Sequence, residues 1–297
     1  MSVTEPILVD LVSIPGNSFV MGSTAFYPEE APTVVREVAA FRIARAPVTN
    51  QEFSAFVAAT GYVTTAERPL NPQEFAGVAD LDTSPGSLVF RPTSGPVDLR
   101  DWRQWWSWVP GTNWRHPGGP DSTIIEREDH PVVHISWFDA QEFCNWSGTR
   151  LPTETEWEFA ARGGLDGATF AWGEEPQHVG KLKANTWQGS FPYRNLGALG
   201  WVGTSPVGAF PANGYGLLDV TGNVWEWTAT AWSDRHSTHT CQCSPTGNEN
   251  SGGFVAKGGS HLCAPEYCLR YRPAARTRQT PDSATSHMGF RVAADAG

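Results

Sequence analysis

Residues 258–292 read GGSHLCAPEYCLRYRPAARTRQTPDSATSHMGFRV, and chemistry-bearing side chains crowd together in this stretch. It carries two of the five cysteines, Cys263 and Cys268, with Arg270, Arg272, Arg276 and Arg278 close behind. Thiolates are the nucleophiles and the soft-metal ligands, and nearby guanidinium charge favours them over thiols. On an ideal helix five residues turn through about 500°, leaving the two side chains roughly 140° apart. Pro265 between them argues for a turn or extended loop instead. A loop can bring both sulfurs together, and spacing alone leaves two readings open: a small structural disulfide, or a pair gripping one ion.

Working outward, composition sets the bounds. The chain has 297 residues, enough for one large or two ordinary domains with a sizeable core. With 30 glycines, 23 prolines and 14 tryptophans, it reads as loops and short strands pinned by aromatic packing. The formal charge of -10 disfavours nucleic acid and anionic membranes as partners and suits a basic peptide. No apolar run reaches the roughly 18 residues of a membrane span. The N-terminus MSVTEPILVDLVSIPG lacks a basic start followed by an apolar stretch, so a cytoplasmic location is expected. An odd cysteine count does not suit a secreted disulfide framework.

In chain order, the first forty residues suggest strands, with SFVMGS leading into a polar, proline-bearing turn. Thr49 or Asn50 can cap a helix over about 51–60, where Phe53, Phe56 and Val57 fall at helical spacing. The tryptophans at 102, 105, 106, 108 and 114 suit core packing first and a groove wall second. Glu67 is read as a solvated loop charge. Ser136 caps a second helix over 137–147, with Cys144 on its buried face as a small hydrophobe. That helix contains the sequon Asn145-Trp146-Ser147, which is read as chance. Thr153-x-x-Glu156 is a capping box for a third helix, stopped by Gly163-Gly164. Residues 165–297 read as short strands and long ordered loops, and a single domain over 1–297 is expected.

Two further clusters carry ligand-type residues. His236, His239, Cys241 and Cys243 suit zinc by type, but their spacing matches no standard finger, so an incidental loop is favoured. His130 and His134 lack the intervening glutamate of a zinc protease. The segment 219–226, DVTGNVWE, is rich in oxygen donors and could coordinate a hard cation such as calcium, although a polar turn is the simpler reading.

The text around the cysteine pair, GGS-x-x-C-x4-C-x-R-Y-R with AAR, TPDS and GFR following, resembles the C-terminal signature of the formylglycine-generating enzymes, or sulfatase-modifying factors. The resemblance extends back through NWRHPGGPDST, HPVVHISWFDA, GTRLPTETEWEFAARGG, ANTWQG and GNVWEWT, and so covers nearly the whole chain. It implies a single α+β domain with low regular secondary structure, similar to a C-type lectin elaborated with loops. It implies an oxidase that converts a cysteine in a C-x-P-x-R segment of an unfolded or nascent sulfatase to Cα-formylglycine, using O2 and a thiol reductant. By position, Cys263 and Cys268 match the Cu(I) ligands, in keeping with the preference of that ion for soft thiolates. Ser260, Tyr267, Arg270 and Trp225 match pocket residues, with Tyr267 the candidate proton donor. His287 stands where relatives often carry asparagine and is read as a hydrogen-bonding neighbour.

A structural calcium would map to Asp219 and Glu226 through side chains, and to Gly222 and Val224 through carbonyls. A second would map to Asn185, Thr186, Leu199 and Trp201, where Leu199 replaces a carboxylate of some relatives. Secreted members carry disulfides where this chain has Ala161 opposite Pro273 and Cys144 opposite Val292. Neither bridge can form here, which fits a reducing compartment. Ala264 also replaces a polar residue of some relatives. The chain is expected to act as a monomer. A noncatalytic lectin-like binding module on the same scaffold is the alternative.

Overall fold

The computed structural model describes residues 9–72, 82–176, 181–236 and 252–297. Short strands open the chain: β1 (Leu11–Ile14), β2 (Asn17–Met21), β3 (Val34–Val38) and β4 (Phe41–Ala44). Then come helix α1 (Asn50–Thr60), the hairpin strands β5 (Gly86–Phe90) and β6 (Trp106–Pro110), and helices α2 (Trp137–Ser147) and α3 (Glu154–Arg162). The remainder holds β7 (Trp225–Ala231), β8 (Phe254–Lys257), β9 (Arg276–Gln279), β10 (Met288–Phe290) and β11 (Ala293–Asp295). The expectation of little regular structure holds.

All three helices begin where local chemistry directs. Thr49, Ser136 and Thr153 accept from the backbone N–H three residues on, and Glu52, Asp139 and Glu156 return the bond. Each box satisfies donors that a helix start otherwise leaves bare. Gly163, at φ +58°, ends α3; a Cβ there would lie 2.7 Å from the Gly214 nitrogen, so glycine is required twice over.

The strands form small sheets in the orders β1-β4-β11, β10-β7-β8-β9, β2-β3 and β5-β6. In the four-stranded sheet β10 pairs β7 in parallel, setting Gly289 beside Glu226. The interior is largely aromatic. Phe53, Phe56, Phe143, Phe290 and Trp114 interlock edge-to-face or stacked, with centroids 5.2–6.4 Å apart, the geometry that aromatic quadrupoles favour. Cys144 packs in this cluster, as expected, together with Val292.

Charged groups are also buried, and they are paired. Arg291 forks onto Glu226 at 2.6 and 2.7 Å, Lys257 reaches Glu158 at 3.0 Å, and Arg276 and Arg272 hold Glu154 and Glu30. Glu67 corrects the solvated-charge reading. It closes a capping box on Thr64 and pairs with Arg115 at 3.1 Å. No helix of the described residues is long and apolar enough to cross a membrane.

His134 is sealed, with Nδ1 2.8 Å from the Ser87 hydroxyl and Nε2 2.9 Å from the Pro117 carbonyl. Burial lowers its pKa to about 4. An unfolded chain takes up this proton near pH 6.5, so the contribution is whole above that pH and is lost as pH falls toward 4. The loss is of order 3 kcal/mol. Melting temperature should therefore decline over this window, and His134→Asn, which tolerates the local φ of +61°, should show a shallower decline. An unchanged slope in that variant would place the acid sensitivity elsewhere.

Candidate active site

The cysteine loop starts where β8 ends. Gly259 adopts φ +70°, and a Cβ there would sit 2.9 Å from the Arg270 carbonyl, so two strands of the loop touch only because this residue has no side chain. Cys263 N–H then donates to the Ser260 carbonyl at 2.9 Å, while the Ser260 N–H points at the Cys263 sulfur at 3.4 Å. The Ala264 carbonyl accepts from both Tyr267 and Cys268, at 3.0 and 2.7 Å. This single tight turn folds the second cysteine back over the first. A separation of five residues that would splay two side chains on a helix becomes a contact, with the sulfurs 3.1 Å apart.

That distance exceeds an S–S bond of about 2.05 Å, and both cysteines are free. They are not equivalent. Cys263 is 1% exposed, and burial, reinforced by the neighbouring sulfur, pushes its thiol well up. Cys268 is partly exposed; the hydrogen bond from Cys263 and the charge of Arg270 pull it down. The two sulfurs thus differ: burial holds the proton on Cys263, and Cys268 gives its proton up more readily.

Both sulfurs open into a cavity of about 420 Å³. Trp225, Ser260, Tyr267 and Arg270 line it as well, so the structure brings together every pocket residue expected from the sequence. Trp225 starts β7, its N–H held by the His287 carbonyl at 2.8 Å. Tyr267 lies flat on Phe191, centroids 4.5 Å apart, with its edge toward Trp105. Burial and then the nearby Cys268 charge raise its phenol, which keeps the proton available. His287 also lines the cavity, its ring 4.8 Å from that of Trp106. Burial, and then repulsion from His261 and His134, lowers it to about 3, so it is neutral.

The tryptophan-rich stretch does both jobs considered for it. Trp114 is core, while Trp102, Trp105 and Trp106 wall the cavity. Trp102 is 50% exposed and Tyr267 38%, which marks the rim and leaves the sulfurs a path from solvent. Sequence reading missed Thr277 and Gln279, which line the cavity from β9. The alternation of Thr277 and Gln279 with Arg276 and Arg278 was the available signal. A larger cavity of about 690 Å³ shares Leu262 with this one but contains no cysteine.

The family described as "Sulfatase-modifying factor enzyme 1-like domain" matches residues 3–296. The chain belongs to this family. It is 60% identical over 295 residues to a Mycobacterium tuberculosis protein named formylglycine-generating enzyme, covering 97% of this chain and 98% of that one. It is also 39% identical over 297 residues to a mouse protein named inactive C-alpha-formylglycine-generating enzyme 2, covering 97% of this chain and 86% of that one. The solved structure of PvdO from Pseudomonas aeruginosa superposes with a TM-score of 0.66 at 26% identity, covering 96% of this chain and 94% of that one. The α+β, lectin-like single-domain fold expected for the family is the fold observed.

The positions expected to bind calcium divide into two kinds. Asp219 is buried at φ +50°; its Oδ2 accepts from Gly208 at 2.7 Å, and its Oδ1 has no partner. Burial raises this carboxyl to about 6. Asn185 likewise has an unpartnered, buried Oδ1. Such orphaned oxygens suit a hard cation. Glu226 does not present a free donor, because Arg291 and the Trp157 Nε1–H hold both its oxygens. Gly222 and Val224 follow Asp219 in the same turn, and Thr186 follows Asn185. Leu199 and Trp201 lie in an exposed loop, where the Trp201 carbonyl already accepts from Ala198.

The two histidine clusters are structural where they are described. His130 bonds Thr204 through Nδ1, and His236 bonds the Pro32 carbonyl. His239, Cys241 and Cys243 lie outside the described residues. Among the described residues no cluster of three or more His, Cys, Asp or Glu side chains is arranged to hold a metal.

The asymmetry of the thiols is open to measurement. A small alkylating reagent at neutral pH should modify Cys268 first, with Cys263 slower by an order of magnitude or more, as read by peptide mapping. Equal rates would refute the asymmetry of the two thiols.

Proposed function

We propose that this protein is a copper-dependent formylglycine-generating oxidase. Its substrate would be a cysteine in a C-x-P-x-R segment of an unfolded or nascent sulfatase. The observation that carries this reading is the pair of free sulfurs 3.1 Å apart at the floor of an open, aromatic-walled cavity. Identity to relatives named for the activity supports it.

Two cysteine sulfurs with no oxygen or nitrogen donor in the set fit a soft monovalent ion. Cys263 and Cys268 would hold the ion, and the partly exposed Cys268 side chain is the one with room to adjust to it. Cu(I) held by Cys263 and Cys268 would supply the activation of O2. The net change per substrate cysteine consumes one O2 and two thiol equivalents of reductant. It yields an aldehyde, H2S, water and one disulfide of the reductant.

The chain's own residues prepare that change. The tryptophan wall and Phe191 would hold the peptide and exclude water, which strengthens each polar contact inside. Tyr267 keeps its phenolic proton and lies over the sulfurs' cavity, placed to donate to departing sulfur or to reduced oxygen. Arg270 offsets the negative charge that collects on the thiolates. Ser260 orients the Cys263 sulfur through its own backbone N–H.

Structural calcium at Asp219, with the carbonyls of Gly222 and Val224, and a second ion near Asn185 belong to the same reading. They would satisfy the orphaned oxygens. Action as a monomer in a reducing cytoplasm is part of it too, supported by residues 161, 273 and 292 being non-cysteine.

Turnover tests the reading directly. With Cu(I), O2 and a thiol reductant, a C-x-P-x-R peptide should undergo the mass loss of thiol-to-aldehyde conversion. Cys263→Ser and Cys268→Ser should each lower the rate by a thousandfold or more, as for residues acting as one unit. Copper binding without turnover would instead make this a noncatalytic member, like the relatives named inactive.

Calcium is testable separately. At 100 times its Kd the ion adds about 2.7 kcal/mol, or roughly 4 °C in melting temperature for a chain of 297 residues. Asp219→Ala should lose most of that gain, and no gain in the unsubstituted protein would remove calcium from the account.

A further inference from the structure

We propose that Tyr27 and Glu29, from the turn between β2 and β3, are positioning residues that fix Arg270 against Cys268. The inference rests on the reading of Cys263 and Cys268 as the reactive pair. Neither Tyr27 nor Glu29 lines the cavity, so any effect on it passes through Arg270, which does.

The contacts are specific and come from the far end of the chain. Glu29 Oε1 accepts from Arg270 Nη2 at 2.6 Å. The Tyr27 ring lies under the same guanidinium at 4.1 Å, within cation–π range. The Tyr27 hydroxyl accepts the Leu269 N–H at 3.1 Å, gripping the backbone between Cys268 and Arg270. Among the described residues Glu29 is the only oxygen holding the Arg270 head group, and the Arg270 Nε is buried without a partner. On its other side Arg270 lines the same cavity as Cys268, which stands two residues before it in the turn. Arg270 is thus held by an aromatic face and one carboxylate at the edge of the cavity that Cys268 lines.

A second arginine in the same loop separates positioning from folding. Arg272 forks onto Glu30 at 3.0 and 2.5 Å, and both side chains are buried. That pair anchors the loop to the protein. The Arg270–Glu29 pair is partly exposed, with side chains at 27% and 21%, and can be broken without opening the interior. Loss of Glu29 would free a long guanidinium to turn toward solvent and leave the Cys268 side of the cavity without a fixed cation. Groups that orient a metal ligand from outside typically change metal affinity by about 10–100-fold.

Glu29→Gln, Glu29→Asp and Tyr27→Leu would be compared with the unsubstituted protein in four measurements. These are melting temperature, Cu(I) affinity by competition with a chelator, site-mapped alkylation of the copper-free protein, and kcat and KM for a C-x-P-x-R peptide. Glu29→Gln should keep its melting temperature within a few degrees and lose about tenfold in Cu(I) affinity. It should slow alkylation of Cys268 several-fold and leave Cys263 unchanged. Glu29→Asp should recover part of both losses. If Tyr27→Leu fails to fold, Glu29→Gln still decides the matter. Unchanged Cu(I) affinity and unchanged Cys268 alkylation in a folded Glu29→Gln would overturn the proposal. If the unsubstituted protein bound no Cu(I), the copper reading would fail by itself, and the alkylation ratio would still judge the positioning role.

Discussion

One buried guanidinium organises the centre of the molecule. Arg291 is fully sealed, and it meets both oxygens of the equally sealed Glu226, the carbonyl of Ala44 at the end of β4, and the carbonyl of Leu218. Trp157 of α3 adds its indole N–H to the same carboxylate at 2.6 Å. Two sheets, the loop at Leu218 and a helix therefore share one charge pair. Such a pair is not a cheap source of stability, since desolvation offsets much of the attraction, but removing either partner leaves an unmatched charge at a cost of about 3–5 kcal/mol. Its value here is directional. A fold of strands three to seven residues long has few long ladders to set its register, and a five-donor fork accepts only one arrangement of its partners.

That constraint reaches the cavity within one residue. Side chains alternate along a strand, so with Glu226 turned inward to Arg291, Trp225 is turned the other way, into the cavity. The parallel pairing of β7 and β10 then brings the His287 carbonyl onto the Trp225 N–H. Opposite stand the tryptophans of the β5–β6 region, and the floor is the turn from Ser260 to Cys268. Apolar walls with a few polar groups at the floor are the usual form of a ligand site. Here the polar groups are two sulfurs, a phenol and a guanidinium.

What the sequence disclosed and what it hid follow from range. The helices were legible because a cap is a local device: Thr153 with Glu156, and Ser136 with Asp139, need only three residues to declare themselves. The cysteine pair was legible as chemistry, but spacing alone left disulfide and shared ion both open, because the Ala264 carbonyl that closes the turn has no signature of its own. Glu67 was misread for a similar reason. Its cap on Thr64 is local and could have been seen, but Arg115 lies 48 residues away. The turn at residues 26–30 was visible only as polar and proline-bearing, since its partners Leu269, Arg270 and Arg272 lie more than 240 positions downstream.

That last separation has a consequence for biosynthesis. The acidic turn leaves the ribosome 241 residues before the arginine it holds. At roughly 5–20 residues per second it must wait many seconds for its counterpart. The reactive loop can thus be completed only after almost the entire polypeptide is in place, and contacts of such range make for slow, late closure. A chain halted before Arg270 would lack the guanidinium that the acidic turn holds, together with Tyr271 and Phe290 of the aromatic core, so the cavity floor and the interior are completed together.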